Sequence, residues 1–325
     1  MIIRKGWAIC ALSFLLGSSG IVKAGTLTTV DDIVAADLAN ALTTGGAGGI
    51  TITSESLSDN HFQSIHNNQV ENIDSSGIFS TVGTNNFGLS GSGIVISTGH
   101  AAQDGTTGPN IYQVTTDFGT SATANQAALL NQVASAPSGW NDVTEFDITF
   151  TAGPNTSHVF FNTVFTSAEY PVFVGQYIDG FGLFLNGSNI AFAGGHPVNI
   201  DNPGMVNTVF PNDGGGNDGV AYQTTPEEGV LTLNGSAVIT YGGDVTPGST
   251  NTLTFILGDA NDNELDTTAF IQGLGNAPPP NGTPASPPMG TPEPATWAMM
   301  LLGFAGMGFV GYRRAASDRI AASAV

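Results

Sequence analysis

Hydrophobic positions recur along this chain at two spacings. Apolar residues at 30, 33, 34, 38, 41 and 42 return every three or four positions, which predicts a helix over 30–42. Thr29 or Asp31 is its candidate cap, and the glycine run 45–49 ends it. A second helix is expected over 122–134. From Ile50 onward, short β-type runs alternate with loops rich in Gly, Asn and Asp. These runs are 50–53, 93–97, 143–151, 158–165, 180–185, 230–233, 237–241, 252–257 and 267–271. Residues 145–151 alternate polar and apolar side chains, as a strand with one wet face does. Many short strands with turn signals and no internal repeat predict a mainly β domain, of β-sandwich, jelly-roll or related type, with one or two short helices.

Both ends depart from that pattern. Arg4 and Lys5 precede an apolar run from Ala8 to Leu16, and Val22, Lys23 and Ala24 then place small residues at the −3 and −1 positions of a cleavage site. Residues 1–24 therefore read as a secretory signal peptide, cut by signal peptidase between Ala24 and Gly25. Residues 25–275 form the body, and 276–291 a Pro-rich linker expected to be extended and poor in hydrogen bonds. Residues 295–312 are apolar and uncharged. As a helix at about 1.5 Å per residue they reach about 27 Å, enough to span a bilayer. Arg313 and Arg314 follow, which places the C-terminus in the cytoplasm and the body outside; residues 315–325 form a short tail.

Charge narrows the function. The chain has six Lys and Arg against 26 Asp and Glu. All six bases lie in the first 23 or last 13 residues, so the span from Gly25 to Tyr312 carries 25 acids and no Lys or Arg. Phosphate binding needs basic side chains to displace counterions, so nucleic-acid and nucleotide roles are excluded. The single cysteine, Cys10, lies in the signal run, which leaves no disulfide, thiolate zinc site or thiol nucleophile in the body.

Enzyme signatures fail one by one. Gly88, Ser90 and Ser92 break the G-x-S-x-G elbow at its last position. The five histidines form no H-E-x-x-H, and His61 and His66 stand five apart in a polar stretch that reads as a solvated loop. Gly306, Gly308 and Gly311 satisfy G-x-G-x-x-G, but no strand precedes them and their surroundings are membrane-apolar. No carboxylate pair stands out for glycosidase chemistry. The expectation is a non-enzyme.

Two stretches carry family resemblances. Residues 291–309, with Pro292, Glu293 and Pro294 before the apolar helix and Arg313 and Arg314 after it, resemble the PEP-CTERM sorting signal of Gram-negative bacteria. That resemblance implies recognition by the membrane protease exosortase. It also implies export through the inner membrane to the cell surface, outer envelope or extracellular matrix. The family often ends on a dense Arg cluster, whereas this chain runs on to Val325. The body resembles the choice-of-anchor L domain, through residues 37–42 and the glycine turn that follows, 93–99, 142–150, 164–171, 179–187 and 257–270. Where that family usually has two adjacent Glu, this chain has Ala168 and Glu169. No catalytic activity comes with the resemblance.

Calcium is the ligand that the loop chemistry favours. Asp259, Asn261, Asp262, Asn263, Glu264 and Asp266 place six oxygen-bearing side chains within eight residues, and hard cations take oxygen ligands. Glu169 and Asp179 would complete a set of five acids if the fold brings them to that loop. The spacing is not that of an EF-hand, and the same acids would equally serve as turn caps. A second loop over 212–219 has similar composition but a flexible, glycine-rich character. The expected function is a structural or adhesive component of an exopolysaccharide or biofilm layer. The alternative is a calcium-dependent or independent carbohydrate-binding module in which Trp140, Tyr170, Phe173 or Tyr177 stacks on sugar rings.

Overall fold

The computed structural model describes residues 27–30, 33–44, 46, 48–66, 69–84, 88–101, 116–207 and 229–285. The signal run, the apolar segment 295–312 and the loop 212–219 lie outside them. Among the described residues no helix is long and apolar enough to cross a membrane.

The chain forms strand β1 (Leu27–Val30), helix α1 (Ala35–Thr43), and strands β2 (Ile50–Ser58), β3 (His61–His66), β4 (Gln69–Asp74), β5 (Ser76–Thr84) and β6 (Ser90–Ser97). Helix α2 (Ala124–Leu130) precedes the long strands β7 (Trp140–Ala152) and β8 (His158–Ser167), then β9 (Gly180–Leu185). Short strands follow: β10 (Ser188–Asn189), β11 (Phe192–Ala193), β12 (His196–Pro197), β13 (Met205–Asn207) and β14 (Gly229–Leu231). The last are β15 (Ile239–Asp244), β16 (Thr250–Ala260), β17 (Thr267–Gly275) and β18 (Thr283–Pro284).

Most strands join two sheets. The larger runs β1-β5-β6-β17-β8-β14-β13, with β15 also on β8 and β18 parallel to β15. The smaller runs β10-β9-β16-β7-β2. Their facing sides share one core, so the mainly β expectation holds in a two-sheet form consistent with a sandwich. Phe146, Ile148 and Phe150 of β7 alternate with half-exposed residues and point inward, as the polar–apolar alternation predicts. Across the core, Phe161 of β8 meets Phe255 of β16 edge to face at 5.4 Å, and Phe165 of β8 stacks on Phe181 of β9 at 6.4 Å. Such aromatic pairs contribute about 0.5–1.5 kcal/mol beyond their burial. Helix α1 closes the same core with Leu38 and Leu42, both fully buried.

Three expectations change. The first helix begins at Ala35 behind the cap residue Val34, not at 30 behind Thr29 or Asp31, because Leu27–Val30 pairs with β5 instead. The second is shorter than 122–134. It starts where Thr123 and Gln126 form a reciprocal capping box, and it packs Leu130 against the outer face of the smaller sheet. His61 and His66 lie at the two ends of β3, within a hairpin with β4, rather than in a loop.

The first ten residues of the Pro-rich stretch lie against the body. Asn276 N–H donates to Gly48 O at 2.9 Å, Thr283 N–H to Val238 O at 2.9 Å, and Ala285 N–H to Thr240 O at 2.8 Å. Asn162 Nδ2 donates to Pro280 O at 2.9 Å. Proline removes only its own donor, so the remaining N–H and carbonyl groups are free to pair.

Candidate functional site: a buried cluster of carboxylates

Four strand ends meet at one end of the two sheets. In the larger sheet Ser167, the last residue of β8, pairs with Thr267, the first of β17. In the smaller sheet Gly258 of β16 pairs with Gly180, the first of β9. The turn 261–266 carries the chain from one sheet to the other. Glu169 lies two residues beyond β8, Asp179 one before β9, Asp259 near the end of β16, Asp262 in the turn, and Asp266 one before β17. The five acids singled out in the sequence are thus brought to one place by adjacent strands.

The turn is pinned by amide side chains. Asn261 and Leu265 both adopt positive φ, 78° and 66°, a region that asparagine tolerates better than most residues. Asn261 N–H donates to Gly139 O at 2.9 Å, and Ser138 N–H donates to Asn261 Oδ1 at 2.9 Å. Asn141 Nδ2 donates to Asp262 O at 2.8 Å. Ala168 N–H donates to Asp266 O at 3.1 Å, which ties the segment after β8 to the start of β17.

The carboxyl groups themselves are sealed from solvent. Glu169, Asp179, Asp259 and Asp266 are 1%, 0%, 2% and 4% exposed, while Asp262 is half-buried. Asp179 is the best satisfied: its Oδ1 accepts from Ala260 N–H at 2.9 Å and its Oδ2 from Thr267 Oγ1 at 2.7 Å. It also shares hydrogen bonds with the side chains of Glu169 and Asp259. Two carboxyl groups can bond to each other only by sharing a proton. Asp266 Oδ1 accepts from Thr116 N–H at 2.9 Å. By contrast, Glu169 Oε2, Asp259 Oδ1 and Asp262 Oδ1 lie buried without a hydrogen-bond partner.

Burial and mutual repulsion act in one direction. Desolvation, then the charges of Asp179, Asp259 and Asp262, push the Glu169 carboxyl far above the usual range. Burial, followed by the Asp179 charge, raises Asp259 well above it too. Asp179 is raised by burial to about 7, held there against the lowering effect of its Ala260 and Thr267 donors. Asp262 rises to about 6 through burial and the neighbouring Glu264 charge. No Lys or Arg exists between Gly25 and Tyr312 to oppose these shifts. As the side chains stand, no group of three or more His, Cys, Asp or Glu among the described residues is placed to hold a metal ion. The Asp179 carboxyl instead lies within hydrogen-bonding reach of those of Glu169 and Asp259.

Several contributors were not singled out in the sequence. Asp142 of β7 is fully buried at φ 45°, accepts from Phe118 N–H at 3.0 Å and Thr120 N–H at 2.8 Å, and adds its charge to that felt by Asp259. Thr98 hydrogen-bonds Asp259 and accepts from Thr267 N–H at 3.0 Å. Gly99 packs its backbone on the Asp266 carboxyl. Their signal was present only as membership of the resembling segments 93–99 and 142–150.

The loop after Glu169 is apolar on its outside. Val172 and Val174 are 40% and 42% exposed, and between them Phe173 meets Tyr177 edge to face at 5.5 Å. Tyr170 donates its hydroxyl to Met205 O at 3.0 Å. Trp140 is 3% exposed and bonds Asn131 Oδ1 through its ring N–H at 3.0 Å, so it is a core residue and not a stacking platform. Pro292, Glu293, Pro294, Arg313, Arg314, Ala24 and Gly25 all lie outside the described residues.

Comparison with known proteins gives two matches. The profile of the choice-of-anchor L domain matches residues 31–275, and that of the PEP-CTERM protein-sorting motif matches residues 291–315. No curated protein and no solved structure matches the chain.

Proposed function

The chain belongs to the choice-of-anchor L domain family, and from that premise we propose that it is a non-catalytic structural or adhesive component of the exopolysaccharide or biofilm layer. Its PEP-CTERM motif indicates an exported protein, sorted through exosortase to the envelope or surface of a Gram-negative bacterium. The observation that carries the non-catalytic reading is the sealing of the acid cluster. Hydrolytic carboxylates must face a cleft that admits substrate and water, yet four of the five acids are no more than 4% exposed. A cluster closed in this way serves architecture.

The adhesive part of the reading draws on the loop 170–178, where exposed Val172 and Val174 flank an aromatic pair. The same loop favours a second reading as a carbohydrate-binding module, with Phe173 and Tyr177 stacking on sugar rings. A glycan array and a pull-down with extracted matrix polysaccharide separate the two. Retention in the matrix without saccharide binding is the result expected for the structural reading. Saccharide binding abolished by Phe173→Ala and Tyr177→Ala would replace it with the carbohydrate-binding one.

A further inference from the structure

We propose that Glu169, Asp179, Asp259, Asp262 and Asp266 hold one calcium ion where the chain crosses between the two sheets. The proposal is independent of the role in the matrix. Its first support is the set of unpartnered oxygens. Glu169 Oε2 and Asp259 Oδ1 belong to side chains 1% and 2% exposed and accept no hydrogen bond, and Asp262 Oδ1 in the turn shares that condition. A buried acceptor left unsatisfied is costly, more so when charged, and native proteins rarely retain several in one place without a ligand.

The second support is the lack of any Lys or Arg in the body of the sequence. Buried carboxylates are ordinarily paired with a base or bound to a metal. Here the nearest Lys or Arg in sequence lies before Gly25 or after Tyr312. Without Lys or Arg, the charge of Glu169, Asp259 and Asp262 is left to protons or a bound cation. Protons suffice at low pH. The two compete for the same oxygens, so binding of a cation here releases protons and strengthens as pH rises.

The donor set selects the ion. Every group in the cluster binds through oxygen, with no thiolate and no imidazole among the five, which suits a hard cation over zinc or copper. Calcium accepts six to eight oxygens at irregular angles, whereas magnesium demands a near-octahedral shell and gives up water reluctantly. Carboxylates delivered from four strand ends and a turn meet the first requirement better than the second. Asp179 has both oxygens committed to Ala260 and Thr267, so its part is to orient Glu169 and Asp259 from behind. The oxygens left without a hydrogen bond on Glu169, Asp259 and Asp262 are the ones available to the ion.

The test is calcium titration of the full chain, purified in detergent and stripped with chelator, followed by calorimetry or equilibrium dialysis. We expect one ion per chain, with a dissociation constant of about 10⁻⁴–10⁻³ M, the range of extracellular calcium modules. Glu169→Gln and Asp259→Asn should each weaken binding about tenfold or more, comparable to losses at other metal sites. Asp244→Asn, an exposed acid paired with His158 at 2.7 Å, should leave binding unchanged. Far-UV circular dichroism of each calcium-free variant establishes that it is folded. Asp262→Asn, at a half-buried turn position, keeps the test decisive where a buried variant does not fold. A folded parent that takes up no calcium at about 10 mM, well above that range, would overturn the proposal. So would binding that survives unchanged in every folded cluster variant, or magnesium bound as tightly as calcium.

Discussion

Gly99 lies flat against the carboxyl group of Asp266: a Cβ built on Gly99 would overlap both carboxylate oxygens and the carbon between them. The glycine is needed here for space, since its backbone follows directly on β6 and Ser97 Oγ accepts its N–H at 2.9 Å. Gly99→Ala must displace either the strand end or the acid. Overpacking of this kind costs about 1–3 kcal/mol. Placed in an Asp266→Ala background, the same change should cost about 1 kcal/mol or less. A thermal or urea double-mutant cycle measures the difference, and additive penalties would show that the contact is not the source of the strain.

Calcium should raise the melting temperature of the chain. An ion bound only by the folded state stabilises it by RT ln(1 + [L]/Kd), about 2.7 kcal/mol at a hundredfold excess over Kd. For a body of this size that is a shift of about 5 °C. Melts with calcium and with chelator, at constant ionic strength, check it. Asp259→Asn and Asp266→Asn should shrink the gap, and identical melts would leave these acids as hydrogen-bonded turn residues.

Without calcium the pH dependence has a defined sign. Asp179 at about 7, Asp262 at about 6, and the raised Glu169 and Asp259 all bind protons more tightly folded than unfolded, where such acids titrate near 4. Between those values the native state holds more protons, so its stability falls as pH rises. The chelated chain should therefore melt higher at pH 5 than at pH 8. Saturating calcium should reduce or reverse the difference, because the ion replaces the protons. A calcium-free chain that gains stability on going from pH 5 to pH 8 would contradict this account.

Much of this was legible in the sequence where one local signal governs. Strand β7 was readable because its wet face alternates with Phe146, Ile148 and Phe150. Strand β17 is buried along its whole length, so its β-branched and apolar run marked it rather than any alternation. The β3–β4 hairpin escaped because Gln63, Glu71 and Asn72 give it the composition of a loop. Strand β1 escaped because its pairing with β5, fifty residues away, overrides the helical period that includes Val30. The crowding of Asp259, Asp262 and Asp266 was visible directly. The approach of Asp179 and Asp142 was not, since it depends on which strands become neighbours.

Processing at both ends would give a mature chain of predictable mass. Cleavage after Ala24 should leave Gly25 first, as N-terminal sequencing of the exported protein will show. In a host with exosortase, the segment beyond Pro292–Pro294 should be absent from the surface fraction by intact-mass analysis. A surface form that still ends at Val325 would contradict processing at the motif.

The strand order has a mechanical consequence. A chain held at the cell through residues beyond Ala285 transmits any pull first to β18, a two-residue parallel contact on β15, and then to β17. Strand β17 is no edge: it is hydrogen-bonded to β6 on one side and to β8 on the other. Tension therefore meets two rows of backbone hydrogen bonds sheared together, after the short β18 contact has yielded. In a pulling experiment this predicts a small early release followed by one large rupture. A layer built from such units would stretch slightly under flow before any unit gave way.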